Sequence, residues 1–155
     1  MKKLAAMLML ATALVTPSMA MARDVTIEAQ LVRYSGNAAY LAVYLTDAAG
    51  TFQQTLWVAG RKTRYLGELR GWVQGASKAG SITLDGISGA SVGGGQTLTV
   101  HADLADALID AGYQIHVDSA VEDGGAYTDD AVINLGSTPA KVDGTGYVGT
   151  LSVSM

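Results

Sequence analysis

The stretch that decides the fold is residues 39–58, which read AYLAVYLTDAAGTFQQTLWV. Its first eight residues, 39–46, are apolar on both faces of an extended chain, and this pattern predicts a buried β-strand. Residues 47–50, Asp-Ala-Ala-Gly, predict a turn, because glycine adopts a positive φ without strain. Residues 51–58 then return as a second strand, so the whole stretch predicts a β-hairpin.

Alternation of apolar and polar residues continues on both sides of the hairpin and predicts further short strands. These strands are residues 24–33, 81–84, 96–103, 113–120, 130–135 and 147–155. About eight strands with turn residues between them are typical of an all-β sandwich.

Arg61–Ala76 differs from the rest of the chain in its period. Apolar residues recur there every three to four positions, which predicts one short amphipathic helix inserted between strands. The residues on its apolar face are Tyr65, Leu66, Leu69, Trp72 and Val73. Leu104–Gly112 predicts either a helical turn or a loop.

Residues 1–22 have the organisation of a secretory signal peptide. A short lysine-containing start precedes an uncharged apolar run, residues 4–15, and small residues follow at two possible cleavage sites. The run is shorter than the roughly 20 residues that span a bilayer. We expect cleavage after Ala22, with Ala20 as the second choice, and no membrane insertion after cleavage. An uncleaved N-terminal anchor is the alternative.

The remaining residues, 23–155, predict a single β-sandwich domain. Without the two leader lysines, the chain has 8 basic and 14 acidic residues, a formal charge of −6. This charge argues against nucleic acid and anionic membrane surfaces as partners. The chain has no cysteine, so disulfides and thiolate ligands for iron–sulfur clusters are excluded.

One segment is not readily explained as scaffold: residues 85–91, Asp-Gly-Ile-Ser-Gly-Ala-Ser. It resembles the flavinylation motif of proteins that carry covalent FMN, such as subunits of the sodium-pumping NADH:quinone reductase and of the Rnf complex. In those families an FAD:protein FMN transferase joins the flavin phosphate to an acceptor hydroxyl. The resemblance implies that Ser91 is the acceptor. It places the recognition positions at Asp85, Ser88, Gly89 and Ala90.

The segment departs from that motif in two ways. The usual acceptor is threonine, and a further hydroxyl residue often follows where Val92 and three glycines stand here. If flavin is attached, Gly93–Gly95 would let the loop protrude, and the small residues Gly89 and Ala90 would let the backbone enter a tight transferase site. The alternative interpretation is an Asp-Gly turn followed by a loop of small residues.

The wider sequence is similar to a periplasmic family known as domain of unknown function 2271. The likeness covers roughly residues 24–136 and includes residues 40–57, the helical segment, the motif and an acidic dipeptide at 122–123. A Trp-Asp pair usual in that family is replaced by residues 100–103, Val-His-Ala-Asp. The resemblance implies an immunoglobulin-like β-sandwich in the bacterial periplasm. It also implies an FMN transferase and a PepSY-type membrane reductase as partners, with electron transfer as the role.

Other sites were weighed against this interpretation. Two His-x-Asp pairs, His101 with Asp103 and His116 with Asp118, could converge on Cu²⁺ or Zn²⁺ if their strands were neighbours. The simpler interpretation is that they are solvent-facing polar positions. The alternative function is therefore a flavin-free binding or accessory module, possibly metal-binding, that docks a membrane reductase.

Three further groups of residues have ordinary structural interpretations. No serine is linked to a histidine by a recognisable motif, which favours a redox carrier over an enzyme. Residues 129–130, two aspartates, predict a loop before a strand. The basic residues Arg61, Lys62 and Arg64 predict a solvated loop, with contact to an FMN phosphate as the alternative. The aromatic residues are expected mostly in the core, although one or two could stack on a flavin ring.

Overall fold

The computed structural model describes residues 20–80 and 82–155. The strands there are β1 (Ala22–Leu31), β2 (Ala39–Thr46), β3 (Phe52–Ala59), β4 (Ser88–Gly89), β5 (Thr97–Ala105), β6 (Gln114–Val121), β7 (Ala126–Asn134), β8 (Ala140–Asp143) and β9 (Val148–Ser154). The helices are α1 (Thr63–Leu66) and α2 (Arg70–Lys78), and a 3₁₀ turn covers Asp106–Leu108.

The strands form two sheets that pack face to face. One sheet has the order β5-β1-β9-β8, and the other has the order β4-β3-β2-β6-β7. All pairings are antiparallel except β3 with β4. Aliphatic side chains from both inner faces, such as Ile27, Leu41, Val117 and Leu151, form the main core. The predicted all-β sandwich is confirmed, while its immunoglobulin-like character stays a prediction.

β2 is buried along its whole length, because the five-stranded sheet is covered on both faces. Leu41, Val43 and Leu45 point into the sandwich core. Tyr40 and Tyr44 point the other way, into a second core that α1 and α2 close with Leu66, Leu69, Trp72 and Ala76. The two-sided apolar pattern of residues 39–46 therefore reflects a three-layer arrangement of sheet, sheet and helices.

The single inserted helix predicted for Arg61–Ala76 is wrong in one respect, since the segment forms two helices. Glycines weaken the helix where the chain bends between α1 and α2. The first turn of α2 is held from the sheet, because Asp118 Oδ2 accepts the Trp72 amide at 2.8 Å. A carboxylate that accepts a first-turn amide satisfies a donor which the helix leaves unpaired.

Two strand predictions also need correction. Residues 82–84 are not in a strand, whereas β8 was not predicted at all. Asp129 and Asp130 lie inside β7 and do not precede it. There the strand bulges: Val117 pairs with Ala131 and Ser119 with Tyr127, which leaves Asp118 opposite the bulge. Asp129 takes the positive φ of 51° that the bulge requires.

The predicted leader, residues 1–22, lies almost entirely outside the described residues. Within residues 20–80 and 82–155, no helix is both long enough and apolar enough to cross a membrane.

Candidate functional site

The predicted motif, residues 85–91, runs along the edge of the five-stranded sheet. It opens with a turn in which the Ile87 amide donates to the Leu84 carbonyl at 3.3 Å. Gly86 takes a positive φ of 75° in this turn, so the glycine is required there. Ser88 and Gly89 then form β4 beside the end of β3. The turn was predicted, but the strand after it was not.

Ser91 lies on a connection that is pinned on both sides. Before it, the Gly60 amide donates to the Gly89 carbonyl at 2.8 Å. After it, Val92 exchanges two backbone hydrogen bonds with Ala39, at 2.6 and 2.9 Å. Ser91 is half-buried, and its hydroxyl has no hydrogen-bond partner among the described residues. The backbone is therefore fixed while the hydroxyl is unengaged.

Gly89 has a packing role that the sequence did not reveal. A Cβ atom there would lie 2.8 Å from Cζ2 of Trp57, closer than side-chain atoms approach. The Trp57 indole N–H beneath it is buried and has no hydrogen-bond partner among the described residues. The glycine is thus explained by contact with Trp57, whether or not a transferase also reads it.

The other motif positions are open to solvent. Asp85, Ser88 and Ala90 are all exposed. The Asp85 carboxylate accepts no hydrogen bond within the part of the chain that the structure describes, so it does not cap the loop's own amides.

The expected protrusion of Gly93–Gly95 is wrong. The Gly95 amide donates to the Val32 carbonyl at 2.9 Å, and the Gly93 amide donates to Gln96 Oε1 at 3.0 Å. A Cβ on Gly94 would lie 2.6 Å from the Tyr34 carbonyl oxygen. These glycines let the loop pack tightly against the β1–β2 connection, and Ser91 does not sit on a projecting finger.

A cleft of about 340 Å³ adjoins the motif. It lies between the start of the helical segment and the motif strand, with Ser88 and Gly89 on one side and Arg61 on the other. Arg61 is exposed and makes no salt bridge to another described residue. The cleft therefore presents an uncommitted guanidinium near the motif.

The other two basic residues of the predicted cluster are committed to Glu122. Lys62 Nζ lies 3.0 Å and Arg64 Nη2 lies 3.5 Å from its carboxylate oxygens. The Tyr65 hydroxyl also donates to this carboxylate. That hydrogen bond and the Lys62 ammonium lower the pKa of Glu122 below its ordinary value. The basic residues are exposed, as the solvated-loop interpretation predicted. Lys62 and Arg64 also anchor α1 to the β6–β7 turn.

The metal alternative built on the two histidines is wrong in its geometry. His101 lies on β5 and His116 on β6, which belong to different sheets. His101 instead approaches Thr26 at 3.3 Å and Asp24 at 3.7 Å across the β1–β5 pair. No group of three or more potential ligands gathers anywhere within residues 20–80 and 82–155.

A second group of polar residues gathers where sequence reasoning did not place one. His116 Nδ1 lies 2.7 Å from Asp129 Oδ1, and His116 Nε2 lies 3.0 Å from the Thr46 hydroxyl. The Tyr44 hydroxyl donates to Asp118 at 3.1 Å and to Asp129 at 3.2 Å. The Tyr44 ring also stacks on His116 with centroids 5.2 Å apart. In the sequence, the only indication of this group was the i, i+2 spacing of His116 and Asp118.

Burial controls the electrostatics of this group. The Asp118 carboxyl is fully buried, and desolvation raises its pKa despite hydrogen bonds from two amides and Tyr44. Desolvation and the two neighbouring carboxylates raise the pKa of Tyr44 as well, so this phenol stays protonated. Tyr44 is therefore a hydrogen-bond donor, and Asp129, which is half-exposed, is the acceptor that solvent reaches.

The comparisons with known proteins identify one family. Its sequence model, described as "Predicted periplasmic protein (DUF2271)", matches residues 22–150. The comparison with curated proteins gives no match, and neither does the comparison with solved structures.

Proposed function

The chain belongs to the DUF2271 family of predicted periplasmic proteins, and from this premise we propose that it is a periplasmic electron-transfer protein carrying FMN on Ser91. One observation carries the proposal: Ser91 is only partly buried and its hydroxyl is unpaired within the described residues, inside a segment that resembles a flavinylation motif. A buried or hydrogen-bonded hydroxyl would have argued against attachment.

The attachment step is a phosphoryl transfer from FAD. The Ser91 oxygen attacks the flavin-side phosphorus, the phosphoanhydride bond breaks, and AMP leaves. The hydroxyl proton passes to a base of the transferase or to water, and the product is a phosphoester. Positioning dominates such a step, so an acceptor whose backbone is held at Gly89 before it and at Val92 after it is favourable.

The cleft beside the motif is lined by Ser88 and Gly89, which precede Ser91 by three and two residues. Arg61 could pair with the phosphate, because a guanidinium donates two parallel hydrogen bonds to such oxygens. Beneath Gly89, the indole N–H of Trp57 is a buried hydrogen-bond donor that has no partner among the described residues. When bound, the flavin would supply reversible electron exchange, and a PepSY-type membrane reductase is the partner that the family resemblance implies.

The test is co-expression with an FAD:protein FMN transferase, followed by intact-mass measurement and in-gel flavin fluorescence. We expect the wild type to gain one FMN phosphoester and to fluoresce. Ser91→Ala should abolish both signals, whereas Ser91→Thr should keep them because the hydroxyl remains. Ser35→Ala, an exposed serine outside the motif, is the matched control and should not change labelling.

A second candidate is a flavin-free accessory module that docks a reductase. The contact between Gly89 and Trp57 favours it, since packing alone accounts for that glycine. If the wild type keeps the mass of the bare polypeptide under co-expression, the flavin proposal fails and this candidate stands. If Ser91→Ala still acquires flavin, the proposed attachment residue is wrong.

A further inference from the structure

A second and larger cleft, of about 550 Å³, lies at the far end of β2 from the motif. Val92 bridges to Ala39 at one end of this strand, and Thr46 lines the cleft at the other. Seven residue steps at about 3.3 Å each separate the two ends by about 23 Å. The cleft is thus distinct from the proposed flavin site and does not depend on it.

Asp129 lines the cleft, and hydrogen bonds hold its carboxylate in place. Its Oδ1 atom receives hydrogen bonds from His116 and Tyr44, and its amide donates to Asp118 Oδ1 at 2.9 Å. Its side chain is 51% exposed, and its Oδ2 atom has no partner among the described residues. Main chain and side chain are both fixed, so a ligand would meet an acceptor that is already oriented.

The surroundings of Asp129 favour positive charge. Phe52, which is partly buried, lines the cleft, and an aromatic ring attracts cations through its face. The helix α2 lines the cleft with Gly71 in its first turn as well as with Gly75 and Lys78 near its end, so its dipole favours neither sign of charge there.

Two nearby groups could oppose a cation. Lys78 lies at the rim but is exposed, and its long side chain can extend into solvent. His116 faces Asp129 through Nδ1 and Thr46 through Nε2. The buried Asp118 carboxyl accepts a hydrogen bond from Tyr44 in the same group. The ring of His116 is only 12% exposed, so a ligand would meet the Asp129 carboxylate first.

The size of the cleft indicates a small organic molecule, because such sites usually enclose about 300–1,000 Å³. The exposed Thr51, Gln74 and Thr128 supply further polar groups at its rim. We propose that this cleft binds a small organic cation, an amine or quaternary ammonium compound, with Asp129 as its counter-charge.

The test is calorimetric titration of the exported protein with putrescine and with choline, beside glycerol and acetate as neutral and anionic comparisons. We expect both cations to bind, more weakly as salt rises, and the comparison compounds not to bind. Asp129→Asn should weaken cation binding about tenfold, as the loss of a charged hydrogen-bond partner does. Asp143→Asn, an exposed aspartate on β8, is the matched control and should bind like the wild type.

A second variant keeps the proposal testable if Asp129→Asn does not fold. Phe52→Leu keeps an apolar side chain but removes the aromatic face, and it should weaken choline binding about two- to fivefold. Failure of the wild type to bind either cation would overturn the proposal. So would equal binding of glycerol, or unchanged affinity in a folded Asp129→Asn protein. Ser91→Ala should bind the cations normally, which separates this site from the proposed flavin function.

Discussion

Single buried carboxylates organise much of this molecule. Asp130 is only 1% exposed and accepts hydrogen bonds from the amides of Thr145, Gly146 and Val148. The Ser119 hydroxyl donates to it as well. One side chain of β7 therefore holds the turn between β8 and β9, in addition to the pairing of these two strands.

Replacing Asp130 with alanine should cost about 3–5 kcal/mol of unfolding free energy, because buried donors lose their partner. Chemical denaturation monitored by tryptophan fluorescence measures the difference. Asp143→Ala, at an exposed position on β8, is the control and should change stability by less than about 0.5 kcal/mol. Equal effects of the two substitutions would show that the Asp130 network contributes nothing special.

Among the motif residues, Gly89 has a packing role that can be tested separately from any recognition by a transferase. Gly89→Ala should destabilise the fold by about 1–3 kcal/mol, since the added methyl group would press on Trp57. Gly67→Ala is the control, because a Cβ there has no atom within 4 Å. Thermal unfolding measures both variants. A Gly89→Ala protein as stable as Gly67→Ala would mean that Trp57 moves aside freely.

The helical elements are tied to the sheet by charges. Asp118 accepts an amide of the first turn of α2, and Glu122 accepts from Lys62, Arg64 and Tyr65 around α1. Glu122 is the first residue of the acidic dipeptide that resembles a family feature, and it therefore has a structural role as the anchor of α1. Without these contacts, two helices of four and nine residues would be marginal in water.

The Glu122 contacts predict a pH dependence of stability. The pKa of Glu122 is lowered in the folded state from an ordinary 4.5, so its contribution is present above that value. It is lost as the pH falls through the lower folded pKa. Glu122→Gln should therefore flatten the fall in melting temperature below about pH 5.

The control for this measurement is Glu28→Gln, at an exposed position on β1, which should keep the wild-type slope. Asp118 acts in the opposite direction, because burial raises its pKa, but it is present in all three proteins and cancels in the comparison. An unchanged slope in Glu122→Gln would contradict the assigned anchor.

At the scale of the whole molecule, the proposed flavin site and the second cleft lie at opposite ends of β2. Sites so far apart without shared partners behave independently in most proteins. We expect Ser91→Ala and Asp129→Asn to combine additively: the double variant should lose flavin labelling like the first and cation affinity like the second. Restored labelling or altered affinity in the double variant would reveal coupling through β2.

The sequence alone determined the elements whose signal is local. β2 was predicted at its observed bounds, its hairpin with β3 was predicted to within a residue, and the apolar face of Leu66, Leu69 and Trp72 was correct. Side-chain alternation and turn residues are sufficient for such features, because they depend on neighbours in the chain. The family resemblance was also readable from the sequence, since it rests on the same stretches.

Only the tertiary structure decided which distant residues meet. It separated His101 from His116 by placing their strands in different sheets, and it split the predicted helix where Asp118 holds the start of α2. It also brought Tyr44, His116 and Asp129 together through the register of β2, β6 and β7. A one-residue change in register would point these side chains to the opposite face, and register is set by long-range packing and bulges that no local pattern encodes.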